Sequence, residues 1–349
     1  MTDVAVLILH PEPAARAGEL ERWVARARAA NAERHRLGFL AAGAADVRVA
    51  SGAPDGIAFG ARLRAFVATN RAAGLVVLGS GAIPLASGAD RRAFVEVASA
   101  TRPVALANNR FSADVIAVSL AGSLEALPDL ATDNELPRWL AEIAGYEVTD
   151  LRRRWRLGVD IDGPLDLVLI GQPAWMPPAP AGDLERVADR LAAVRVVARN
   201  PRAELVVAGR TSAAGLAWLE RSIAARTRAL VEERGMRTAG AGQRPPRSVL
   251  GALLDRDGPA ALGAILAELG EAALVDSRVL LAHRLGSDET RWPPAADRFA
   301  SDLLLHDQVS DPWLRDLTRS AAEAAIPIVL GGHTLVGPGL RLAVGGQGR

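Results

Sequence analysis

Short apolar runs alternate with longer Ala- and Arg-rich segments through the first half of the chain. Such runs are typical of strands buried on both faces of a parallel sheet, and the segments between them have helical spacing. The runs predict strands at Val4–Leu9, Asp46–Ala50, Gly74–Leu78, Val104–Ala107 and Val115–Val118. The other segments predict helices at Glu12–Ala30, Phe59–Arg71, Arg91–Ala100 and Glu135–Ala144. The alternation predicts an α/β protein with three α/β/α layers around a mainly parallel, Rossmann-like doubly wound sheet, in which ligands bind at the carboxyl ends of the strands.

A C-terminal α/β region follows a proline-rich segment. Residues 172–180 contain four prolines and form the predicted linker. We therefore predict two domains, at 1–171 and 182–349. In the second domain the pattern predicts a long helix over Thr211–Glu233, and strands at Glu204–Ala208, Ala273–Val275, Val279–Ala282 and Ile328–Leu330. The role of this region is open.

Two residue types are absent from the sequence. All 41 basic residues are Arg, so the chain cannot form the Lys Schiff base of ordinary pyridoxal phosphate enzymes or the Lys–phosphate contact of a P-loop. It has no Cys either, which excludes disulfides, thiolate nucleophiles and Cys-ligated metals. These two absences exclude several classes of enzyme.

Charge and hydropathy bear on the partners of the chain. The formal net charge is +1 and aromatic residues make up 4% of the sequence, so we expect no nucleic-acid partner. No run approaches the roughly 18 consecutive apolar residues of a transmembrane helix. The N-terminal run Val4–Leu9 has the pattern of a first strand, without the basic segment and cleavage site of a signal peptide. We expect a cytoplasmic protein with no membrane partner, and a homo-oligomer is compatible with the sequence.

Two carboxylates stand in the segment 158–164, which reads Gly-Val-Asp-Ile-Asp-Gly-Pro. Asp160 and Asp162 are two positions apart, so on an extended segment both side chains project to the same side. Such a pair can hold Mg²⁺ while substrate phosphates supply further oxygen ligands. The same carboxylates could instead solvate a turn and cap a helix that starts at Pro164. Both interpretations are open from the residues alone.

The segment from Asp160 to Leu167 resembles the D-I-D-T-P-x-D-L motif that closes the catalytic domain of molybdenum-cofactor guanylyltransferase-like and phospholactate guanylyltransferase-like enzymes. Other segments of the chain occur in the same order as the motifs of that nucleotidyltransferase superfamily. Val76–Leu85 stands where its members carry a strand ending in G-D-x-P-L, and Leu106–Asp114 at their next strand and substrate loop. Leu136–Leu140 is similar to the helix before the closing motif. The resemblance covers about residues 1 to 170.

The resemblance implies a nucleotide-binding, magnesium-dependent transferase. Such a protein moves a nucleotidyl group from a nucleoside triphosphate to a small phosphorylated or acidic metabolite. By position in the motif, Asp160 and Asp162 would hold Mg²⁺. Backbone N–H groups of a turn would hold a phosphate, and three residues after the next strand would contact the substrate. The turn consists of Gly79, Ser80 and Gly81. The three residues after the strand are Asn108, Asn109 and Arg110. The two Asn residues also suit an ordinary turn.

The chain departs from the family pattern at two places. Leu9–Pro13 stands where family enzymes have a Gly-rich loop followed by an Arg and a Lys for the triphosphate. Gly79–Gly81 lacks their metal-binding Asp. The alternative is therefore a catalytically degenerate protein that binds a nucleotide or metabolite without turnover. A third hypothesis is an α/β enzyme of another class, with its site in the second half.

Further candidates follow other predicted strands. His10 ends the first strand, at the mouth where ligands bind, although a lone His there is more often structural. Arg210 and the start of the next helix form a candidate anion site, unless Thr211 or Ser212 simply caps that helix. A second pocket could be built from Asp276, Arg278, His283, Gly331 and Gly332.

Overall fold

The structure of the chain is a computed structural model that describes residues 3–180, 182, 184–234, 236 and 244–345. These residues form two compact units. The first unit contains 3–15 and 25–161, and the second contains 16–24 and the described residues from 162 to 345. The units thus divide between Ile161 and Asp162, ahead of the predicted linker. Residues 346–349 of the predicted second domain lie outside the described residues. None of the described helices is long and apolar enough to cross a membrane.

The first unit is built on a six-stranded sheet. Its strands are β1 Val4–Pro11, β2 Asp46–Gly52, β3 Gly74–Gly79, β4 Val104–Ala107, β5 Val115–Val118 and β6 Glu147–Asp150, in the spatial order β2-β1-β3-β5-β4-β6. β1 is parallel to β2 and β3, and β4 is parallel to β6. β5 runs antiparallel to both of its neighbours, β3 and β4. The predicted mainly parallel, Rossmann-like α/β fold is confirmed, with one reversed strand inside the sheet.

Helices connect these strands. The described residues of the first unit contain α1 Glu19–Ala41 (which enters this unit at residue 25), α2 Phe59–Asn70, α3 Gly88–Ala98 and α4 Leu136–Glu142, with 3-10 turns at Ala121–Ala126, Asp133–Glu135 and Trp155–Gly158. α1 begins later than the predicted Glu12, because β1 continues to Pro11 and the chain is still irregular at Gly18. It also extends beyond the predicted Ala30, and this added length carries residues that contact the candidate site.

Alternate strand residues face opposite sides of the first sheet and build two apolar cores. Ile8 of β1 packs in one core with Phe39 of α1 and Phe94 of α3. Leu7, the preceding residue, packs in the other core with Leu63 of α2. Each such side chain contributes about 1.5–3 kcal/mol by leaving water. Helices therefore cover both faces of this sheet, so a ligand can bind only at the ends of its strands.

The second unit contains a four-stranded, wholly parallel sheet. Its strands are β7 Glu204–Gly209, β8 Arg226–Val231, β9 Ala272–Asp276 and β10 Ile328–Gly331, in the order β10-β9-β7-β8. Its helices within the described residues are α5 Pro164–Ile170, α6 Glu185–Ala198, α7 Ala213–Ser222, α8 Val249–Asp257, α9 Leu262–Ala267, α10 Ser277–Leu285, α11 Ala295–Asp302, α12 Pro312–Glu323, α13 His333–Val336 and α14 Leu340–Gly345. Short 3-10 turns lie at Pro259–Ala261, Glu289–Arg291 and His306–Gln308.

The predicted helix over Thr211–Glu233 is wrong. α7 ends at Ser222, and the strand β8 begins at Arg226 and pairs with β7. β8 lies at the end of the strand order, and most of its side chains are half-buried or exposed. An edge strand of this kind lacks the apolar run of a central strand. Pairing with β7 therefore decides its conformation.

Val279–Ala282 is helical, so the predicted strand there is also wrong. The segment lies in α10, whose first turn is capped because the Asp276 side chain accepts the Arg278 N–H. All four residues of the segment are buried. A short, fully buried apolar run fits a helix as well as a strand, and the cap at Asp276 decides between them.

Candidate functional site

A cavity of about 220 Å³ lies in the first unit where β1 and β3 end. Its wall includes Leu9 of β1, the turn Gly79–Gly81 that begins with the last residue of β3, Arg28 of α1, and Asp160. Leu9 and Gly79 are register partners in the parallel pair β1–β3. The cavity is therefore at the carboxyl ends of parallel strands, where open α/β sheets bind ligands. We call Gly79–Gly81 the β3 turn.

The backbone of the β3 turn is tightly held. The Ser80 N–H donates to the Leu9 carbonyl at 2.8 Å, and the Ala82 N–H donates to the Gly79 carbonyl at 3.1 Å. Ile83, the second residue after the turn, is buried and has a φ of 43°. This left-handed conformation costs a β-branched residue on the order of 1–3 kcal/mol. Backbone strain of this kind clusters at ligand sites, because only strong surrounding contacts preserve it.

Gly81 packs directly against Asp160. A Cβ atom at Gly81 would lie 2.8 Å from both Asp160 Oδ1 and the Ile161 carbonyl oxygen, closer than carbon and oxygen can approach. The Ile161 N–H donates to the Gly81 carbonyl at 3.1 Å, and Asp160 forms an antiparallel bridge with Ala82. The absence of a side chain at Gly81 therefore sets the position of the Asp160 carboxylate in the cavity wall.

Two buried polar residues of α1 bind the carbonyl groups of this turn. Asn31 Nδ2 donates to the Ser80 carbonyl at 2.9 Å and to the Ala82 carbonyl at 3.1 Å. His35 Nε2 lies 2.9 Å from the same Ala82 oxygen. Burial, and next the Arg91 guanidinium, lower the pKa of His35 to about 3. The neutral ring donates its Nε2 proton to Ala82.

Arg28 brings a guanidinium into the cavity wall. Its Nε donates to the Ile161 carbonyl at 2.6 Å. Arg28 and Asn31 are three positions apart on α1, so they lie on the same side of the helix. A guanidinium can bind a phosphate through two parallel N–H groups. Arg28 therefore brings a group that can bind an anion into the cavity wall, in a chain that has no Lys.

Three carboxylates line the cavity: Asp114, Asp133 and Asp160. Asp160 is half-buried, and its Oδ1 accepts the Ile161 N–H at 2.8 Å. Among the described residues, no three His, Asp or Glu side chains are grouped so that they could hold a metal by themselves. Mg²⁺ needs only one or two carboxylates when substrate phosphates complete its shell. The carboxylates of the wall could therefore hold Mg²⁺ only together with oxygen atoms of a bound ligand.

Asp162 belongs to the second unit, and its side chain is exposed. Its N–H and that of Gly163 both donate to Asp166 Oδ2 at 2.8 Å, so Asp166 caps the start of α5. Burial, and next the Asp162 carboxylate, raise the pKa of Asp166 to about 8. The predicted helix start at Pro164 is confirmed. A metal-binding role for Asp162 stays a prediction.

The three predicted substrate contacts after β4 bond to other groups of the protein, and buried Asn108 reaches as far as the Leu157 carbonyl, 2.9 Å from its Nδ2. Buried Asn108 donates from Nδ2 to Asp114 Oδ2 at 2.7 Å, and its Oδ1 accepts the Asp114 N–H at 3.0 Å. Asn109 Oδ1 accepts the Phe111 N–H at 3.1 Å, and the Arg110 guanidinium lies 5.6 Å from the Phe111 ring centre. None of the three is part of the cavity wall. Asn108 reaches the cavity indirectly, because it holds Asp114.

His10 of β1 contacts the β3 turn. Its Nδ1 lies 3.0 Å from Ser80 Oγ. Partial burial and the charge of Arg28 lower the pKa of His10, against a smaller opposite effect of Glu12. Ser80 is 2% exposed and belongs to the cavity wall.

The candidates of the second unit form buried ion pairs. Arg210 donates from Nε and Nη2 to the two oxygens of Asp276, at 2.6 and 3.1 Å. Arg278 makes a similar pair with Asp302, at 2.7 and 2.6 Å. Ser212 Oγ accepts a backbone N–H of α7 at 3.0 Å, which is the predicted cap. Arg210 is thus engaged by a carboxylate within the protein.

The remaining members of the predicted second pocket make other contacts. His283 Nδ1 accepts the Ser248 N–H at 3.0 Å, and its Nε2 lies 3.0 Å from Asp255 Oδ2. The Gly331 carbonyl accepts the Ser277 hydroxyl at 3.2 Å. These bonds connect helices and strands within the second unit.

Several site residues lie outside the sequence-based predictions. Asn31 and His35 did carry a local signal, because they continue the buried face of α1 that includes Ala27 and Phe39, at a spacing of four. Polar residues on a buried helix face indicate buried hydrogen bonds. No local pattern distinguished the others. The residues missed are Arg28, Asn31, His35, Asp114 and Asp133.

Two comparisons with known proteins gave no match. No protein-family model matches the chain, and no curated protein matches it with significance.

Proposed function

We propose that the first unit binds a nucleoside triphosphate in the β3 cavity and transfers its nucleotidyl group to a small phosphorylated or acidic metabolite. One observation carries the proposal. The β3 turn, the Arg28 guanidinium and the Asp160 carboxylate share a single cavity at the carboxyl ends of parallel strands. Close backbone approach, a guanidinium and a carboxylate are the groups that a magnesium–triphosphate complex needs.

Each residue of the wall has a distinct part in this mechanism. Arg28 binds phosphate oxygens and orients the donor. Gly79 and Gly81 let the backbone approach a phosphate, because neither has a side chain. Asp160 would hold Mg²⁺, and the bound ion would neutralise charge on the phosphate being transferred. Asn31 is a positioning residue, because it fixes the turn without reaching the ligand.

A second candidate function is binding without turnover. β1 ends in Leu9–Pro11 and therefore lacks the Gly-rich loop whose N–H groups would hold a triphosphate. Pro11 itself has no N–H to donate. A cavity with fewer donors favours a protein that senses or delivers a nucleotide. The two functions share the same cavity, so they differ in turnover alone.

Calorimetric titration tests the shared step. GTP, CTP, ATP and UTP are titrated into the protein, each with and without Mg²⁺. We expect one nucleotide to bind only with Mg²⁺, and Asp160→Asn to weaken its binding at least tenfold, or about 1.4 kcal/mol. The control is Asp129→Asn, an exposed carboxylate of the same unit paired with Arg64. Equal affinity in Asp160→Asn and the wild type would contradict the proposal, as would the failure of all four nucleotides to bind.

Release of pyrophosphate separates the two candidates. The protein is incubated with the nucleotide that binds, Mg²⁺ and a panel of phosphorylated and carboxylic acid acceptors. Pyrophosphate formation that depends on an acceptor and on Asp160 supports transfer. Tight binding without pyrophosphate from any acceptor favours the binding protein.

A further inference from the structure

A hydroxyl in the wall of the cavity, that of Ser80, contacts an imidazole next to the wall, that of His10. Ser80 Oγ lies 3.0 Å from His10 Nδ1. Ser80 is the central residue of the β3 turn and is almost wholly removed from solvent. A hydroxyl at hydrogen-bond distance from an imidazole is the arrangement of an activated nucleophile and its base.

The imidazole is in the protonation state that such a base requires. Partial burial and the charge of Arg28 lower the pKa of His10 below its ordinary value, and Glu12 opposes them more weakly. The ring is therefore neutral at pH 7, so Nδ1 can accept the Ser80 proton. The positive charge of Arg28 also favours an anionic substrate beside the serine.

The backbone around Ser80 is held without help from the His10 side chain. β1 and β3 are paired through six residues, from Val4–Gly74 to Leu9–Gly79. The Ser80 N–H donates to Leu9, and the Ser80 carbonyl accepts from Asn31. These bonds already join the two strands and hold the turn. The contact between the Ser80 and His10 side chains is additional to these backbone bonds. We therefore ascribe to it a catalytic role and not a structural one.

We propose that Ser80 is a nucleophile, that His10 is its base, and that Ser80 carries the nucleotidyl group between donor and acceptor. This inference rests on the proposed function of the cavity and adds a covalent intermediate to it. The reaction then has two displacements in place of one.

Both displacements balance. In the first, Ser80 Oγ attacks the α-phosphorus of the nucleoside triphosphate, and His10 takes the hydroxyl proton. The bond from the α-phosphorus to the bridging oxygen breaks, and pyrophosphate leaves with the electron pair. In the second, an oxygen of the acceptor attacks the same phosphorus. The Ser80–phosphorus bond breaks, and the serine recovers a proton from His10.

Covalent labelling tests the intermediate. The full chain is incubated without acceptor, with Mg²⁺ and a nucleoside triphosphate labelled at the α-phosphate, and is then denatured. We expect one labelled nucleotidyl group per chain, on the peptide that contains Ser80. Ser80→Ala should abolish the label, and His10→Gln should slow its formation by about 10²–10⁴-fold. The matched control is Ser99→Ala, because the exposed Ser99 hydroxyl donates to a carbonyl of its own helix, that of Glu96, at 2.8 Å.

Peptide mapping of the wild type makes the test independent of how the variants fold. Calorimetry on the same protein separates the two proposals. A protein that binds the nucleotide but gains no label overturns the covalent intermediate and leaves the proposed function standing, as does a label on another residue. A protein that binds no nucleotide overturns both. Exchange of labelled pyrophosphate into the nucleotide without acceptor, lost in Ser80→Ala, supports the intermediate.

Discussion

Asn31 in α1 and Ser80 in the β3 turn are joined by a buried hydrogen bond of 2.9 Å, from Asn31 Nδ2 to the Ser80 carbonyl oxygen. The two residues are 49 positions apart in sequence. The same Nδ2 donates to the Ala82 carbonyl, so one side chain serves two carbonyl groups on either side of Gly81. The conformation of the turn therefore depends on a helix that is remote in sequence.

Removal of this side chain should destabilise the first unit. Asn31→Ala leaves two buried carbonyl groups without their donor, and we expect a loss of about 2–4 kcal/mol in the free energy of unfolding. Chemical denaturation measures it. Asn70→Ala is the control, because half-buried Asn70 makes a 3.3 Å bond to Asp46, and we expect it to lose about 1 kcal/mol or less. Equal losses in the two variants would show that the turn does not need Asn31.

A methyl group at Gly81 should disturb the cavity. Gly81→Ala places a Cβ 2.8 Å from Asp160 Oδ1 and 3.3 Å from Arg28 Nε, so we expect both side chains to move. We predict a loss of stability of about 1–3 kcal/mol. Gly79→Ala is a matched control two residues away, because a Cβ there meets no atom within 4 Å. Thermal unfolding of the two variants should separate them, and similar midpoints would refute the close packing at Gly81.

Acid should destabilise the chain through His35. Its pKa in the folded state is about 3, below the ordinary value of 6.5, so between these values the unfolded chain binds more protons. The stabilising effect is therefore complete above pH 6.5 and is lost as the pH falls towards 3. Between pH 7 and pH 5 the wild type should lose about 2 kcal/mol more than His35→Gln. Denaturation curves at both pH values give this difference, and parallel losses would mean that His35 is not buried as a neutral ring.

The buried pair Arg210–Asp276 should be sensitive to the loss of one partner. Arg210→Met leaves the Asp276 carboxylate buried and unpaired, and we expect a cost of about 3–5 kcal/mol. The double variant Arg210→Met/Asp276→Asn should recover part of that cost. The exposed pair Arg138–Glu142 is the comparison: Arg138→Ala there should cost about 0.5 kcal/mol or less. Urea denaturation of the four proteins checks this, and a small loss in Arg210→Met would contradict the burial of the pair.

The local sequence determined most strands of this protein. Val104–Ala107 and Val115–Val118 were predicted with the bounds that the structure has, because a strand buried on both faces needs a continuous apolar run. The Gly-Ser-Gly turn at the end of β3 is also visible in the local sequence, and the family resemblance with its backbone N–H groups led to its prediction as a phosphate contact. The structure places that turn in the cavity wall, and its role as a ligand contact stays a prediction.

Tertiary structure decided what depends on distant partners. Nothing in Val115–Val118 indicates that β5 is antiparallel to both neighbours, because side-chain alternation is the same in either direction. β8 is a strand only because β7 pairs with it. Arg28 and Asn31 stand in an Ala- and Arg-rich helix whose local pattern says nothing of the turn at Gly79–Gly81. The apolar pattern is encoded by neighbours in sequence, but hydrogen bonds between residues 49 or more positions apart form only when the fold brings them together.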